Sequence, residues 1–203
     1  MRYLALGDSY TIGELVPFEK NFPSQVVDIL QEQGVQLKLQ QLIAVTGWTT
    51  DELAAGIYAQ QPAPHYDWVT LLIGVNNQYR ERSTEEYAVQ FYSLLCQAIY
   101  FAQNKPERVV VLSIPDWGMT PFNTEKDVAQ TSAEIDAYNA IKKQISLNLG
   151  VHYLDITPST REHAKDPHFL ASDLLHYSEH EYAIWANAVA NIIYNETPSA
   201  SSL

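Results

Sequence analysis

The sequence predicts an α/β protein in which a five-stranded parallel sheet lies between two layers of helices. Apolar runs of strand length alternate with amphipathic helical segments along the 203-residue chain, the pattern of a parallel sheet with helical crossovers. The runs at 67–74 (DWVTLLIG) and 107–114 (ERVVVLSI) have apolar centres, the first broken only by Thr70, as befits strands covered on both faces. Four of the eight glycines, Gly7, Gly47, Gly74 and Gly118, fall just after the first four runs, where a missing Cβ lets the backbone come close to a ligand.

The first strand, about 2–7, stops at Gly7-Asp8-Ser9 and turns polar at once. A helix is expected at about 22–33, with Gly34 as its C′ residue. The second strand is placed at 37–45, and Thr49-Thr50-Asp51-Glu52 reads as a capping box for a helix at about 50–60. The third strand, 67–74, is followed by a second box, Ser83-Thr84-Glu85-Glu86, opening a helix to about 103. After the fourth strand at 107–114, Thr131-Ser132-Ala133-Glu134 is expected to cap a helix to about 149. The fifth strand is 151–155, residues 156–177 read as irregular, and Ser178-Glu179-His180-Glu181 reads as a box opening a last helix to about 195.

A chain that is 46% hydrophobic with no linker or repeat suits one domain, 1–196, with a frayed tail at 197–203. The formal net charge of −12 repels phosphate backbones and anionic lipid heads, so nucleic acid is not an expected partner. With one cysteine, Cys96, no internal disulfide or cysteine-rich metal site can form; its place in an apolar helical pattern predicts a buried structural thiol. No signal peptide is visible and no apolar stretch reaches the ~20 residues of a membrane span, so a cytoplasmic location without stable membrane insertion is expected. The oligomeric state is left open.

In open parallel sheets ligands bind at the carboxyl ends of the strands. Those ends deliver Gly7-Asp8-Ser9, Thr46-Gly47-Trp48, Gly74-Val75-Asn76-Asn77 and Pro115-Asp116-Trp117, with Asp173-Leu174-Leu175-His176 following the fifth strand. Together they hold the parts that acyl transfer requires. A serine hydroxyl such as Ser9 becomes nucleophilic when a base takes its proton; His176 can be that base, and Asp173 can orient it. Ser9 N–H, Gly47 N–H and the Asn76 amide can supply oxyanion donors. Taken singly, Ser9 could instead be a helix cap and Asn76 and Asn77 turn residues, while His168, near Asp166, rivals His176 as the base.

Read together, GDSY at 7–10, Gly47, GVNN at 74–77 and DLLHYSEHEYAIWA at 173–186 resemble the four blocks of the SGNH (GDSL-type) hydrolases, in order, from residue 5 to about 190. The resemblance implies a flavodoxin-like three-layer α/β/α fold with strand order 2-1-3-4-5. It also implies esterase chemistry through an acyl-enzyme, with Ser9 as nucleophile, His176 rather than His168 as base, Asp173 as its partner, and Ser9, Gly47 and Asn76 as the oxyanion hole. No metal or organic cofactor is implied, and the partner is a small-molecule ester. Asn77 stands where the family's third block carries an acid, Tyr177 where a proline is usual, and Leu174 where a glycine is common. No G-x-S-x-G elbow of the common α/β-hydrolases occurs. Trp48, Asn77, Tyr79, Trp117 and Phe122 are candidates for lining the cleft. Two other readings use the same strand ends: a non-catalytic flavodoxin-like binding module, and a two-carboxylate hydrolase built on Asp8 and Asp116.

Overall fold

The structure, a computed structural model, describes residues 1–197. Of the expected tail only Thr197 falls within that range; 198–203 lie outside the described residues. Five strands, β1 (Arg2–Gly7), β2 (Lys38–Ala44), β3 (Trp68–Leu72), β4 (Val109–Leu112) and β5 (His152–Leu154), form one sheet in the order β2-β1-β3-β4-β5. Every neighbouring pair is parallel. Between them run α1 (Ser9–Ile12), α2 (Phe22–Glu32), α3 (Thr50–Gln60), α4 (Val75–Tyr79), α5 (Thr84–Phe101), α6 (Val128–Asn148), α7 (Thr157–Glu162) and α8 (Glu179–Glu196). The chain steps one way from β1 to β2 and the other way for the remaining crossovers. With right-handed crossovers this puts α2 on one face and α3, α5 and α6 on the other. The contacts agree: α2 lies against α8, and α5 against both α3 and α6. The central strand β3 is buried at every position. Among the described residues no helix is long and apolar enough to cross a membrane.

The boundaries differ from expectation where tertiary contacts take over. The N-cap of α6 is Asp127, whose carboxylate accepts from Gln130 N–H at 2.8 Å, so this helix starts a turn before Thr131. Thr131 is instead buried inside it, against Gly118. Residues 106–108 form a 3-10 turn that shortens β4. The stretch 156–177 contains α7, with Pro158 in its first turn. Ser178 does cap α8, but Glu181 does not close the expected box. It is fully buried and accepts from Ser159 Oγ (2.7 Å) and Trp185 Nε1 (2.8 Å), with His163 Nδ1 at 2.7 Å from its second oxygen. Cys96 is exposed, not buried. The inward stripe of α5 runs through Tyr87, Phe91, Leu94, Leu95 and Ala98, and position 96 turns away from it at 100° per residue.

Candidate active site

The carboxyl edge of the sheet brings together residues from four segments. β1 ends at Gly7, Asp8 caps α1 by accepting Tyr10 N–H at 3.1 Å, and Ser9 is the first residue of that short helix. Ser9 Oγ lies 2.9 Å from His176 Nε2, and His176 Nδ1 lies 2.6 Å from Asp173 Oδ2. The other oxygen of Asp173 accepts both Leu175 N–H and His176 N–H at 3.0 Å. The turn that makes this possible places Leu174 at φ 60°, the left-handed region that favours glycine. Burial works against the Asp173 charge, yet the hydrogen bonds from the His176 ring and from the two backbone N–H groups outweigh it and hold the carboxyl below its ordinary value.

Gly47 has φ 81°, so the loop after β2 needs a glycine at that position. Among the described residues neither Ser9 N–H nor Gly47 N–H donates to a protein atom. Asn76, at the start of α4, commits one Nδ2 proton to Trp48 C=O at 3.0 Å and keeps the other. Ser9, Asn76 and His176 line a cavity of about 160 Å³ whose other walls are Tyr10, Val75, Tyr79, Trp117, Phe122 and Leu175.

The family model described as GDSL-like Lipase/Acylhydrolase matches residues 5–184. The chain belongs to that family. It is therefore an ester hydrolase of the GDSL type, and the binding-module reading is set aside. No curated protein matches it. Among solved structures it is similar to a W215I variant of Axe2, an acetyl xylan esterase from Geobacillus stearothermophilus, at 21% identity and TM-score 0.71 over 98% of this chain and 97% of that one. It is also similar to a lipase/acylhydrolase from Enterococcus faecalis (17%, TM-score 0.66, 99% of each chain). A third is the psychrotrophic esterase EstA from Pseudoalteromonas sp. (13%, TM-score 0.68, 96% and 97%). At these identities the likeness is one of fold.

Of the five residues singled out for the cleft of this GDSL-type hydrolase, Tyr79, Trp117 and Phe122 face the cavity. Trp117 meets both Tyr79 and Phe122 edge to face, at centroid distances of 5.0 and 6.3 Å, and its Nε1 donates to Gln78 at 2.7 Å. Asn77 and Trp48 are not among the lining residues, and neither is Gly47. Asn77 is fully buried; its Oδ1 accepts Thr50 N–H at 3.1 Å and its Nδ2 donates to Thr50 Oγ1 at 2.7 Å, tying α4 to α3. Trp48 lies over Gly56 of α3, where any Cβ would strike its ring. Asp8 and Asp116 also stay out of the cavity. Asp116 is fully buried and accepts from Gly118 N–H, Ser132 Oγ and Arg161 Nε at 3.1, 2.7 and 2.8 Å, which leaves no free carboxylate pair of the kind an Asp8–Asp116 mechanism needs. Arg80, which sequence reasoning passed over, reaches the loop after β2: its Nη2 donates to Gly47 C=O at 2.6 Å and its Nη1 to Glu52 at 3.2 Å. Its only signal in the sequence is its position at the end of the GVNN helix.

Asp8 makes a pH prediction. Among the described residues its buried Oδ2 has no hydrogen-bond partner. Burial pushes its carboxyl up to about 7, against the pull of Tyr10 N–H and of Lys142, whose own ammonium burial pushes down to about 7. The folded state therefore holds the Asp8 proton more tightly than the unfolded chain, for which the ordinary value is about 3.9. The stability this contributes is complete below that value and is lost as pH rises towards 7. Asp8→Asn keeps the capping oxygen without the titration. Relative to wild type it should gain stability between about pH 4 and pH 7, by at most ~4 kcal/mol, and converge with wild type near pH 4. Urea unfolding of both proteins across that range checks the trend; a difference independent of pH would refute it.

Proposed function

We propose that this GDSL-type hydrolase cleaves short-acyl carboxylic esters through an acyl-enzyme on Ser9. The observation that supports this most is the continuous chain Ser9 Oγ–His176 Nε2, His176 Nδ1–Asp173 Oδ2, at 2.9 and 2.6 Å, on the wall of an apolar cavity. His176 takes the Ser9 proton as Oγ bonds to the ester carbonyl carbon, and the carbonyl electron pair moves to oxygen. That oxyanion would be met by Ser9 N–H, the uncommitted Asn76 Nδ2 proton and Gly47 N–H from the loop after β2. The tetrahedral intermediate collapses, the C–O bond to the alcohol breaks, and His176 gives its proton to the leaving alkoxide. Water then attacks the acyl-enzyme with the same base and the same donors, which releases the acid and restores Ser9–OH.

The size of the cavity favours a small acyl group. A cavity of about 160 Å³ walled by Tyr10, Val75, Tyr79, Trp117, Phe122 and Leu175 suits an acetyl to butyryl group better than a long chain. The half-exposed rings of Tyr79 and Phe122 stand at its mouth, where the alcohol portion would rest. The acetyl ester named for the Axe2 enzyme is of this size.

Two readings test the proposal. A p-nitrophenyl alkylphosphonate should stop turnover and leave a covalent adduct that peptide mass spectrometry places on Ser9. An adduct on another residue, or full turnover after complete labelling of Ser9, would overturn the mechanism. Turnover should also fall along the series p-nitrophenyl acetate, butyrate and octanoate; a rise towards octanoate would overturn the short-acyl assignment alone.

A further inference from the structure

The loop after β2 carries one candidate oxyanion donor, Gly47 N–H, and is poorly held by its own backbone. It follows an edge strand, Val45 and Thr46 are exposed, and its internal backbone bond is a single one, Trp48 N–H to Val45 C=O at 3.2 Å. A glycine at φ 81° on such a loop has many other conformations open to it. An oxyanion donor acts through being aimed in advance, since a donor free to swing must be ordered again at each turnover.

We propose that Arg80 is a positioning residue for the oxyanion hole, a strap that fixes Gly47 N–H against Asn76. This rests on the Ser9 acyl-enzyme reading. Arg80 closes α4, and its own N–H bonds to Asn76 C=O at 3.0 Å, so its backbone is rigidly tied to the residue that offers the side-chain donor. Its guanidinium then crosses to the loop, with Nη2 on Gly47 C=O at 2.6 Å. The second arm, Nη1, is held by Glu52 Oε1 at 3.2 Å, and the other oxygen of Glu52 accepts Thr49 N–H at 2.8 Å just beyond the loop. Arg80 therefore holds the loop directly at Gly47 and, through Glu52, indirectly at Thr49, while Asn76 Nδ2 bonds Trp48 C=O between them. A charge-assisted bond to the Gly47 carbonyl holds the Gly47–Trp48 peptide plane, and Trp48 N–H, in the same plane, closes back on Val45 C=O, so that Gly47 N–H in the preceding plane keeps only the limited rotation this turn allows. The planar fork matters because one group must serve a carbonyl and a carboxylate at once, which a lysine ammonium on a flexible stem does less well. Arg80 is not among the residues lining the cavity, so it acts through Gly47 and not on the substrate.

The strap predicts a split between kinetic constants. With p-nitrophenyl acetate, Arg80→Ala should lower kcat about 10- to 30-fold and change KM less than twofold, a smaller loss than the ~100- to 1,000-fold typical of deleting an oxyanion donor. Arg80→Lys should recover part of the loss. Millimolar methylguanidinium should raise kcat of Arg80→Ala several-fold and leave wild type unchanged, since the arginine is half-exposed and its site opens to solvent. A residue that merely supported the fold would not be rescued by a soluble guanidinium. Ser9→Ala is measured alongside. An inactive Ser9→Ala with an Arg80→Ala at wild-type kcat, or with a raised KM and unchanged kcat, would overturn the strap and spare the mechanism. A lowered kcat that neither methylguanidinium nor Arg80→Lys raises would also overturn it. A fully active Ser9→Ala would remove the acyl-enzyme reading and the strap with it.

Discussion

Asp173→Asn should cut kcat for p-nitrophenyl acetate by about 10³- to 10⁴-fold, the loss expected when a catalytic histidine is held in the wrong tautomer, with KM nearly unchanged. One oxygen of Asp173 accepts two backbone N–H groups, from Leu175 and His176, and those donors cannot turn away. An asparagine must therefore keep its carbonyl oxygen there and put its NH₂ where Oδ2 now lies, 2.6 Å from His176 Nδ1. Facing a donor, Nδ1 must become an acceptor, so the imidazole proton moves to Nε2 and points at Ser9 Oγ. A ring in that state cannot take the serine proton. Asp173 is not among the cavity-lining residues, so ground-state binding should survive. The turn should survive too, because the backbone acceptor is retained. Steady-state kinetics of the purified variant, with circular dichroism as the check on folding, decide the matter. A folded Asp173→Asn within tenfold of wild type would mean that another group orients His176.

Much of this arrangement was legible because the sheet imposes it. The sequence predicts β1 at 2–7, where the strand is Arg2–Gly7, and β3 at 67–74, where it is Trp68–Leu72. The inner strands of a parallel sheet are largely apolar runs, as in β3 and β4, and each carboxyl end carries the residues that leave it, so locating a strand also locates its loop. The order β2-β1-β3-β4-β5 came from the likeness of the GDSY, GVNN and D-x-x-H blocks to a family, since nothing in strand composition says which strand neighbours which.

What could not be read depended on partners far along the chain. The box expected at Ser178 failed because Glu181 serves residues of α7 and the ring of Trp185, none of which a local motif contains. Helix α7 was hidden by Pro158, which is tolerated in its first turn, and by a length of only six residues. One end of it is pinned by Arg161, whose guanidinium reaches Asp116 and Asp136 at 2.8 and 2.7 Å. Asn77 read equally well as a cleft residue, because an amide beside Asn76 says nothing about which of the two turns inward. The α4 turn sends Asn77 to Thr50 and leaves Asn76 on the cavity wall.

The second large effect is expected at Gly7, where the chain stops being strand and becomes the turn that presents Ser9. Gly7→Ala should destabilise the protein by about 3 kcal/mol or more, the upper range for forcing atoms into a close-packed site. A Cβ built there would lie 2.0 Å from Thr11 Oγ1 and 2.4 Å from Leu72 C=O. The hydroxyl can rotate away, but the Leu72 carbonyl belongs to the central strand, opposite Gly7 in the β1–β3 register, and cannot move without breaking that pairing. Relief must come from the other side, by shifting the backbone that leads into Asp8 and Ser9, and a shift of an ångström there would spoil the 2.9 Å approach to His176. Gly34→Ala is the matched comparison: it has φ 80° and nothing within 4 Å, so strain alone should cost about 1 kcal/mol and leave turnover at the wild-type level. Urea unfolding of the two variants, with p-nitrophenyl acetate turnover of the folded fraction of each, separates crowding from strain. Equal stability losses would mean that the sheet can widen at Gly7, and the absence of a side chain would not be what lets this strand turn into the segment that presents Ser9, the proposed nucleophile.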